Sequence, residues 1–358
     1  MARKSEARHK GMLAADLPVH GGDLAEAEAL RAGLTGEAAD PHAPWLDLST
    51  GINPWPHPLP EIGADAWRAL PSRRELDALL DAARACYRVP SKLRIVAAPG
   101  SEALIHLLPT LFDPAPAAIV SPTYGEHERS WAQAGHDVRA VDNIGAALAA
   151  AGNVVLVNPN NPDGRRLAPE EIAALAERLA KAGRWLIVDE AFGDLDPHAG
   201  ALASAAPDGL VVLRSFGKFF GLAGLRLGFA IAPRDLAARI EARLGSWAVS
   251  GPAIAVARAA LGDINWQRLT RDRLEAEAAR LDRLLEAGGL EIIGGTALFR
   301  LAAHERAAEL FADLLAARIY VRRFAHDPRW LRFGLPACAA DSARLGAVLA
   351  GFAAGARR

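Results

Sequence analysis

The chain has 358 residues, of which 51% are hydrophobic and 23% charged, with a formal net charge of -1 and an isoelectric point near 6.8. This length suffices for one large domain with an appendage or for two domains, and the balanced charge gives no sign of a nucleic-acid partner. Two cysteines, Cys86 and Cys338, are too few for a disulfide framework or a zinc cluster, and the ten histidines show no close pair at metal spacing. We therefore expect a cytoplasmic protein without a metal site.

The N-terminal part reads as an extension of the main fold. Its opening segment, MARKSEARHKGMLAADL, is polar and basic and lacks the apolar core of a signal peptide. No run of about 18 apolar residues predicts a membrane span. We expect the opening dozen residues to be frayed. Residues 20–60 are rich in Gly, Pro, His and Asn and predict an irregular arm, not a packed element, so 1–60 is assigned as an N-terminal arm or lid.

Short apolar runs then alternate with amphipathic segments. The pattern predicts a helix over 73–87 and strands over 93–98, 117–122, 136–141, 153–159, 184–192, 209–216 and 225–232. Further helices are predicted to start within 99–112, to cover 123–135, and to run from Pro169 to a stop at Gly183. Continuous apolar strands joined by helices indicate an α/β fold with a mainly parallel sheet covered on both faces. We assign this large domain to 61–250.

The pattern changes after Pro233. Long helices fill roughly 233–288, strands alternate with one helix over 290–336, and a closing helix covers 339–353. Mixed strands and helices of this kind indicate a smaller α+β domain. We assign this C-terminal domain to 251–358.

Polar residues follow several predicted strands, and open α/β sheets bind ligands at the carboxyl ends of their strands. Gly100 follows the first strand and precedes a helix, where backbone N–H groups favour a phosphate, although such a glycine is also an ordinary turn residue. Tyr124 follows the second strand, and a tyrosine there is by itself more often at the edge of a core than stacked on a ligand ring. Asn161 lies in the corner NPNNPDG, which also reads as a plain turn. Asp189 follows four apolar residues, and a buried carboxylate needs a cation or hydrogen-bond donors.

The segment LRSFGKFFGLAGLRLG contains one lysine, Lys218, among glycines, phenylalanines and leucines. A lysine in apolar surroundings either points to water or is held for chemistry. An apolar pocket makes an amine a better nucleophile and proton carrier.

Pyridoxal 5′-phosphate (PLP) matches all of these residue types, because it has a phosphate, a flat ring with an oxygen and a nitrogen, and an aldehyde. Lys218 suits the aldehyde, and Asp189 suits the ring nitrogen. The predicted cofactor-binding residues are Gly100, Ser101, Glu102, Tyr124, Asn161, Asp189, Phe192, Ser215, Lys218 and Arg226.

Three motifs, NPNNPDG, DEAF and SFGKFFGLAGLRLG, resemble the fold-type I PLP enzymes of the aspartate aminotransferase superfamily in order and spacing, over nearly the whole chain. The resemblance implies that Lys218 forms an imine with the cofactor and that Asp189 pairs with its pyridine nitrogen, which makes these two residues the predicted catalytic pair. It also implies that Asn161 contacts the ring oxygen and that Arg226 and Ser215 hold the phosphate. By the same resemblance the protein is a homodimer.

Within this superfamily the chain resembles the branch of histidinol-phosphate aminotransferases and threonine-phosphate decarboxylases. The opening HGGDL with LDLSTGINPWP, Phe192 in place of a tyrosine, and WLRFGLP near the C-terminus are similar to the decarboxylases. The resemblance implies decarboxylation of L-threonine O-3-phosphate to (R)-1-aminopropan-2-yl phosphate in cobalamin biosynthesis. The predicted substrate-binding residues are His20, Gly21, Asn53, Asn161, Arg322 and Arg332, with Arg322 as the inward-facing arginine of IYVRRF.

Two positions depart from the aminotransferase pattern. Leu70-Pro71 stands where these enzymes have a Tyr-Pro that reaches the neighbouring subunit's cofactor, and Asp163 replaces the usual threonine of NPNNPTG. A histidinol-phosphate aminotransferase or a related aminotransferase remains an alternative. A non-catalytic PLP-binding regulator is a second alternative, which the lack of a helix-turn-helix segment before residue 20 and of a basic patch disfavours.

Overall fold

A computed structural model of the protein describes residues 20–37, 42, 44–150, 152–203 and 207–355. The opening dozen residues, which we expected to be frayed, lie outside these ranges. Contacts between Cα atoms divide the chain into a large unit, Trp55–Arg271, and a terminal unit that combines Met1–Pro54 with Asp272–Arg358. The predicted boundaries at 60 and 250 thus differ from the observed ones, and the residues before Trp55 group with the C-terminal part of the chain.

The elements are numbered here in chain order. The first are α1 (Leu24–Thr35), β1 (Leu46–Asp47), α2 (Asp65–Arg68), α3 (Arg73–Cys86), β2 (Leu93–Ala98), α4 (Ser101–Leu107), β3 (Pro116–Val120), α5 (Glu126–Gln133), β4 (Asp137–Val141), α6 (Ile144–Ala149), β5 (Asn153–Val157) and α7 (Pro169–Lys181). Then follow β6 (Leu186–Glu190), β7 (Leu210–Ser215), α8 (Phe216–Phe219), β8 (Gly228–Pro233), α9 (Arg234–Leu244), α10 (Gly251–Gly262), α11 (Ile264–Ala287), β9 (Glu291–Thr296), β10 (Phe299–Ala303), α12 (Ala307–Ala316), β11 (Ile319–Tyr320), β12 (Arg322–Arg323), β13 (Trp330–Gly334) and α13 (Ala339–Gly355).

The large unit is built on a seven-stranded sheet in the order β2-β8-β7-β6-β5-β3-β4. Strand β8 runs antiparallel to both of its neighbours, whereas the other adjacent pairs are parallel. Every residue of β5, β6 and β7 is buried, which explains why these strands read as continuous apolar runs. The predicted mainly parallel α/β sheet is confirmed.

The strand register brings several strand ends to one edge of this sheet. Val157 pairs with Asp189, and Asp189 pairs with Leu213, so the carboxyl ends of β5, β6 and β7 are level. Because β8 is antiparallel, its first residue, Gly228, lies opposite both Ser215 and Ala98. The loops that follow β2, β5, β6 and β7 therefore start from the same edge as the loop that precedes β8.

The expectation of an irregular arm over 20–60 is wrong for its first part, which contains α1. The Asp23 side chain accepts a hydrogen bond from the Glu26 N–H at 3.0 Å and begins the helix, and Gly36, at φ 72°, ends it. The segment between them, LAEAEALRAGLT, consists mostly of strong helix formers. Glycine, proline and histidine lie mainly outside this helix, so the average composition of residues 20–60 concealed it.

The terminal unit mixes strands and helices as predicted for the smaller domain. Strands β12, β13, β10 and β9 form an antiparallel sheet in that order, and β1 pairs in parallel with β11. Among the helices that the structure describes, none combines the length and the apolar character that crossing a membrane requires.

Candidate functional site

Lys218 lies on α8, the short helix that directly follows β7. Its side chain is half-buried, whereas Phe216, Phe219 and Phe220 around it are fully buried. Gly217 allows the chain to turn here, because a Cβ atom at this position would lie 2.7 Å from the Cα of Ala223. The amine thus starts from an apolar, closely packed turn at the sheet edge.

The loop after β2 meets the loop before β8 at Gly100. This glycine has φ 90°, and a Cβ atom there would lie 2.9 Å from Nη2 of Arg226. A Cβ atom on Gly228 would lie 2.3 Å from the Ser101 nitrogen, so only glycine allows these backbones to approach so closely. Arg226 itself is exposed. An exposed guanidinium beside the first N–H groups of α4 suits an anion such as a phosphate.

Asp189, at the end of β6, is 3% exposed and has two partners. Its Oδ2 lies 2.9 Å from His127 Nε2, and its Oδ1 accepts a hydrogen bond from the Ala191 N–H at 2.9 Å. His127 is 1% exposed and lies on α5. Sequence reasoning missed His127, because its contact with Asp189 joins residues 62 positions apart and no local pattern indicates it. The two contacts hold the carboxylate in one orientation.

Tyr124 precedes α5 and is tied to the residues after β2. Its hydroxyl donates to Glu102 Oε2 at 3.0 Å, and its ring meets the His127 ring edge-on at 6.2 Å between centroids. Burial and the nearby Glu102 carboxylate raise the pKa of Tyr124 well above its ordinary value, so the hydroxyl remains a donor. The Glu102 carboxylate accepts this hydrogen bond. That Glu102 also binds the cofactor remains a prediction.

The NPNNPDG corner is held by its own polar side chains. Asn160 donates to the Pro122 carbonyl at 2.9 Å and to Asp163 Oδ1 at 2.7 Å. Asp163 Oδ1 also accepts from the Arg165 N–H at 3.0 Å, so the aspartate that replaces threonine closes the turn. Asn161 follows Asn160 and is half-buried.

The opposite face of β6 and β7 carries an ion network that sequence reasoning also missed. Glu190 pairs with Arg214 in the strand register, and their side chains meet at 2.7 Å. Arg214 also binds Asp194 Oδ1 at 2.5 Å, two residues beyond the buried Phe192. Burial favours a neutral Arg214, but the two carboxylates more than offset this and hold its pKa above the usual value. No short-range pattern links residues that are 20 or 24 positions apart.

In the terminal unit, Arg322 and Arg332 lie directly opposite each other on β12 and β13. Arg332 is 7% exposed and donates to the Ser49 carbonyl at 2.8 Å. Burial, together with the positive charge of Arg322, lowers the pKa of Arg332 to about 9. Arg323 is on the other face, over the Phe311 ring. Both arginines are half-buried, so the inward orientation of Arg322 stays a prediction.

The HGG segment lies against the residues that follow β1. The Gly22 N–H donates to Ser49 Oγ at 2.8 Å, and a Cβ atom on Gly21 would lie 2.4 Å from the Ser49 carbonyl oxygen. Ser49 therefore links this segment to Arg332. Asn53 is buried, at 2% exposure, and His20 is exposed.

Residues 71–347 match the family model of class I and II aminotransferases. A threonine-phosphate decarboxylase from Sinorhizobium sp is 46% identical over 338 residues, which cover 93% of this chain and 97% of that protein. The solved histidinol-phosphate aminotransferase from Clostridium acetobutylicum superposes with a TM-score of 0.76 at 23% identity, over 87% of this chain and 99% of that one. A PLP complex of the aminotransferase from Sinorhizobium meliloti gives 0.71 at 22% identity, over 82% and 85%.

These matches extend over most of the chain and include the strand-end loops described above. The resemblance inferred from NPNNPDG, DEAF and SFGKFFGLAGLRLG is confirmed. The chain therefore belongs to the class I and II aminotransferase family.

Proposed function

We propose that this protein decarboxylates L-threonine O-3-phosphate with PLP as cofactor, releasing CO2 and (R)-1-aminopropan-2-yl phosphate for cobalamin biosynthesis. The observation that carries the proposal is the 46% identity to a threonine-phosphate decarboxylase over 93% of the chain. The predicted fold class and PLP dependence are confirmed by family membership. The reaction makes the protein a lyase, although its fold is that of aminotransferases.

The strand-end residues fit PLP. Gly100 and Gly228 leave room that a Cβ atom would fill, and Arg226 extends beside Gly100. We assign the cofactor phosphate to Gly100, Ser101, Ser215 and Arg226. When bound, PLP supplies a protonated ring that accepts the electron pair left by the departing CO2.

We assign the cofactor ring to four further residues. Tyr124 would stack on it, Phe192 would lie near its edge, Asn161 would donate to its oxygen, and Asp189 would hold the proton on its nitrogen. Asp189 suits this role because His127 and a backbone N–H orient its buried carboxylate.

Lys218 carries the proton chemistry in this proposal. Its amine is the group that would hold the cofactor aldehyde. The same amine would deliver a proton to the substrate Cα. The buried phenylalanines around it pack on one another and on Trp266, and so fix the turn that carries the amine.

The substrate is assigned to His20, Gly21, Asn53, Asn161, Arg322 and Arg332. The paired guanidinium groups of Arg322 and Arg332 support this assignment, because two cations on one sheet face favour an anionic ligand. A Cα bond of the substrate would break only if it stood perpendicular to the bound cofactor ring. Anion contacts that turn the carboxylate out of the ring plane would therefore select decarboxylation over loss of the Cα proton.

We also propose that the protein acts as a cytoplasmic homodimer without nucleic-acid or membrane partners. Trp247 is 60% exposed and lines a groove of about 580 Å³ with Pro71, Leu76 and Ile254. A second copy of the chain would cover such an apolar groove. Sedimentation analysis of the holoenzyme tests this, and a monomer at micromolar concentration would contradict it.

A product assay decides between decarboxylase and aminotransferase. The holoenzyme is incubated with L-threonine O-3-phosphate without any keto acid, and released CO2 and the amine product are measured. We expect stoichiometric CO2 and aminopropanol phosphate. Amino transfer from histidinol phosphate to 2-oxoglutarate, without CO2 release from threonine phosphate, would establish the aminotransferase instead.

The cofactor attachment is tested separately with Lys218→Ala. We expect the wild-type protein to be yellow and borohydride to fix the cofactor to the chain, and the variant to lose this labelling. Lys181→Ala, at an exposed position of α7, is the matched control and should label like wild type. Persistent labelling of another lysine in Lys218→Ala would refute the assignment.

A further inference from the structure

We infer that Glu102, supported by His106 and Glu126, is a positioning residue that fixes the ring of Tyr124 against the cofactor. The inference rests on the proposed function, in which Tyr124 stacks on the cofactor ring. It assigns the Glu102 side chain a role through Tyr124 and not through the cofactor phosphate.

The contacts form a chain of polar groups between α4 and α5. Glu102 Oε2 accepts from the Tyr124 hydroxyl at 3.0 Å, and Glu102 Oε1 lies 3.2 Å from His106 Nε2. The same His106 nitrogen lies 3.6 Å from Glu126 Oε2, and Glu126 Oε1 lies 2.9 Å from Arg129 Nη1. Both oxygens of Glu102 are thus engaged, which defines the orientation of its carboxylate.

The helical spacing explains why these groups meet. Glu102 and His106 are four residues apart on the continuous helical segment that starts with α4, so they share one face. Tyr124 and Glu126 come from the start of α5 and approach the same face. The network therefore ties the loop before α5 to the helix that follows the predicted phosphate loop.

A hydroxyl tether is an effective way to orient a tyrosine ring. The torsion about the bond between Cβ and the ring is broad, so packing on one side leaves the ring free to tilt. A hydrogen bond to a carboxylate is stronger than one to a neutral acceptor and restricts this tilt. The Tyr124 ring also meets the His127 ring edge-on, and His127 Nε2 contacts the Asp189 carboxylate. The orientation of the ring and of the Asp189 carboxylate thus depends on Tyr124 and on the first turn of α5, which follows it.

The test is a mutant cycle in the holoenzyme. Glu102→Ala and Tyr124→Phe each remove one end of the tether, and Tyr124→Phe keeps the stacking ring. We expect each change to raise the cofactor dissociation constant roughly tenfold and to weaken the visible circular dichroism of the bound cofactor. The double variant should be no worse than either single variant, because both remove the same contact. Glu128→Ala, at an exposed position of α5, is the matched control.

The conservative variant separates positioning from structural damage. Glu102→Gln keeps an acceptor for the Tyr124 hydroxyl and should recover most of the wild-type dichroism. Additive effects in the cycle would overturn the inference. A lower cofactor dissociation constant in Glu102→Ala would also overturn the inference. It would mean that the Glu102 carboxylate acts only by its charge, which repels the anionic cofactor.

Two further controls isolate the inference. Glu102, His106 and Glu126 bring possible metal ligands within 4.8 Å of one another, so the titration is repeated with EDTA. If EDTA changes the wild-type spectrum, these three residues form a metal site, and the inference that they position Tyr124 is overturned. If borohydride does not fix the cofactor to Lys218 in the wild-type protein, the proposed function is wrong. The borohydride experiment tests this independently of the mutant cycle.

Discussion

Two buried arginines, one in each unit, show how the same side chain can be structural or poised for a ligand. Arg214 is 6% exposed and Arg332 is 7% exposed, so burial does not distinguish them. Arg214 contacts Glu190 and Asp194, and these carboxylates raise its pKa above the usual value. Burial and its neighbour Arg322 lower the pKa of Arg332 to about 9.

The difference lies in the sign of the surrounding charge. A buried cation held by two acids is neutralised within the fold, and removing it leaves those acids uncompensated. For Arg332, the nearby Asp47 carboxylate offsets burial and the Arg322 charge only in part, so an added substrate anion would stabilise the guanidinium. Arg214 is therefore expected to matter for stability, and Arg332 for substrate binding.

The largest effect is expected from Arg214→Met. Glu190 and Asp194 would remain buried without their cation, which should cost about 3–5 kcal/mol of the free energy of unfolding. Urea denaturation of the holoenzyme measures this change. Arg139→Met, which removes an exposed ion pair with Asp137, is the control and should leave the midpoint nearly unchanged. An unchanged midpoint in Arg214→Met would break the comparison.

The next effect is expected from Arg332→Gln. Loss of a buried charge that binds a substrate anion should lower kcat/KM for threonine phosphate about 100-fold. Stability should not fall as it does for Arg214→Met, because Arg322 would lose a repulsive neighbour. Steady-state kinetics and a melting curve on the same preparation give both quantities. Arg323→Gln, from the other face of β12, is the control. If Arg332→Gln lowers stability without changing kcat/KM, Arg332 is a structural residue like Arg214.

The smallest effect is a pH dependence of substrate affinity. The substrate anion binds the charged guanidinium, and the pKa of Arg332 is lowered to about 9. Affinity should therefore be independent of this group below pH 9 and fall by up to about tenfold per pH unit above it. KM measured between pH 7.5 and about 10.5 tests this, and Arg332→Gln should lose the dependence. If the wild-type KM rises as the pH is lowered, the predicted role of the Arg332 charge in substrate binding is contradicted.

Local sequence patterns were sufficient for much of the fold. The buried strands β5, β6 and β7 read as uninterrupted apolar runs, and α7 begins at Pro169 and ends just before Gly183, as its pattern predicted. Local averaging failed for α1, where Gly, Pro and His on either side concealed a helix-forming segment capped by Asp23.

The amino-acid order alone determined which residue types follow each strand, because a buried strand and the polar turn after it are both encoded by adjacent positions. This was enough to predict the PLP chemistry and the residues around Lys218. Only the tertiary structure decided which distant side chains become partners: His127 with Asp189, Glu102 with Tyr124, and Arg322 with Arg332. These pairs are set by strand register and helix packing, which depend on the whole core and leave no mark at short range in the chain.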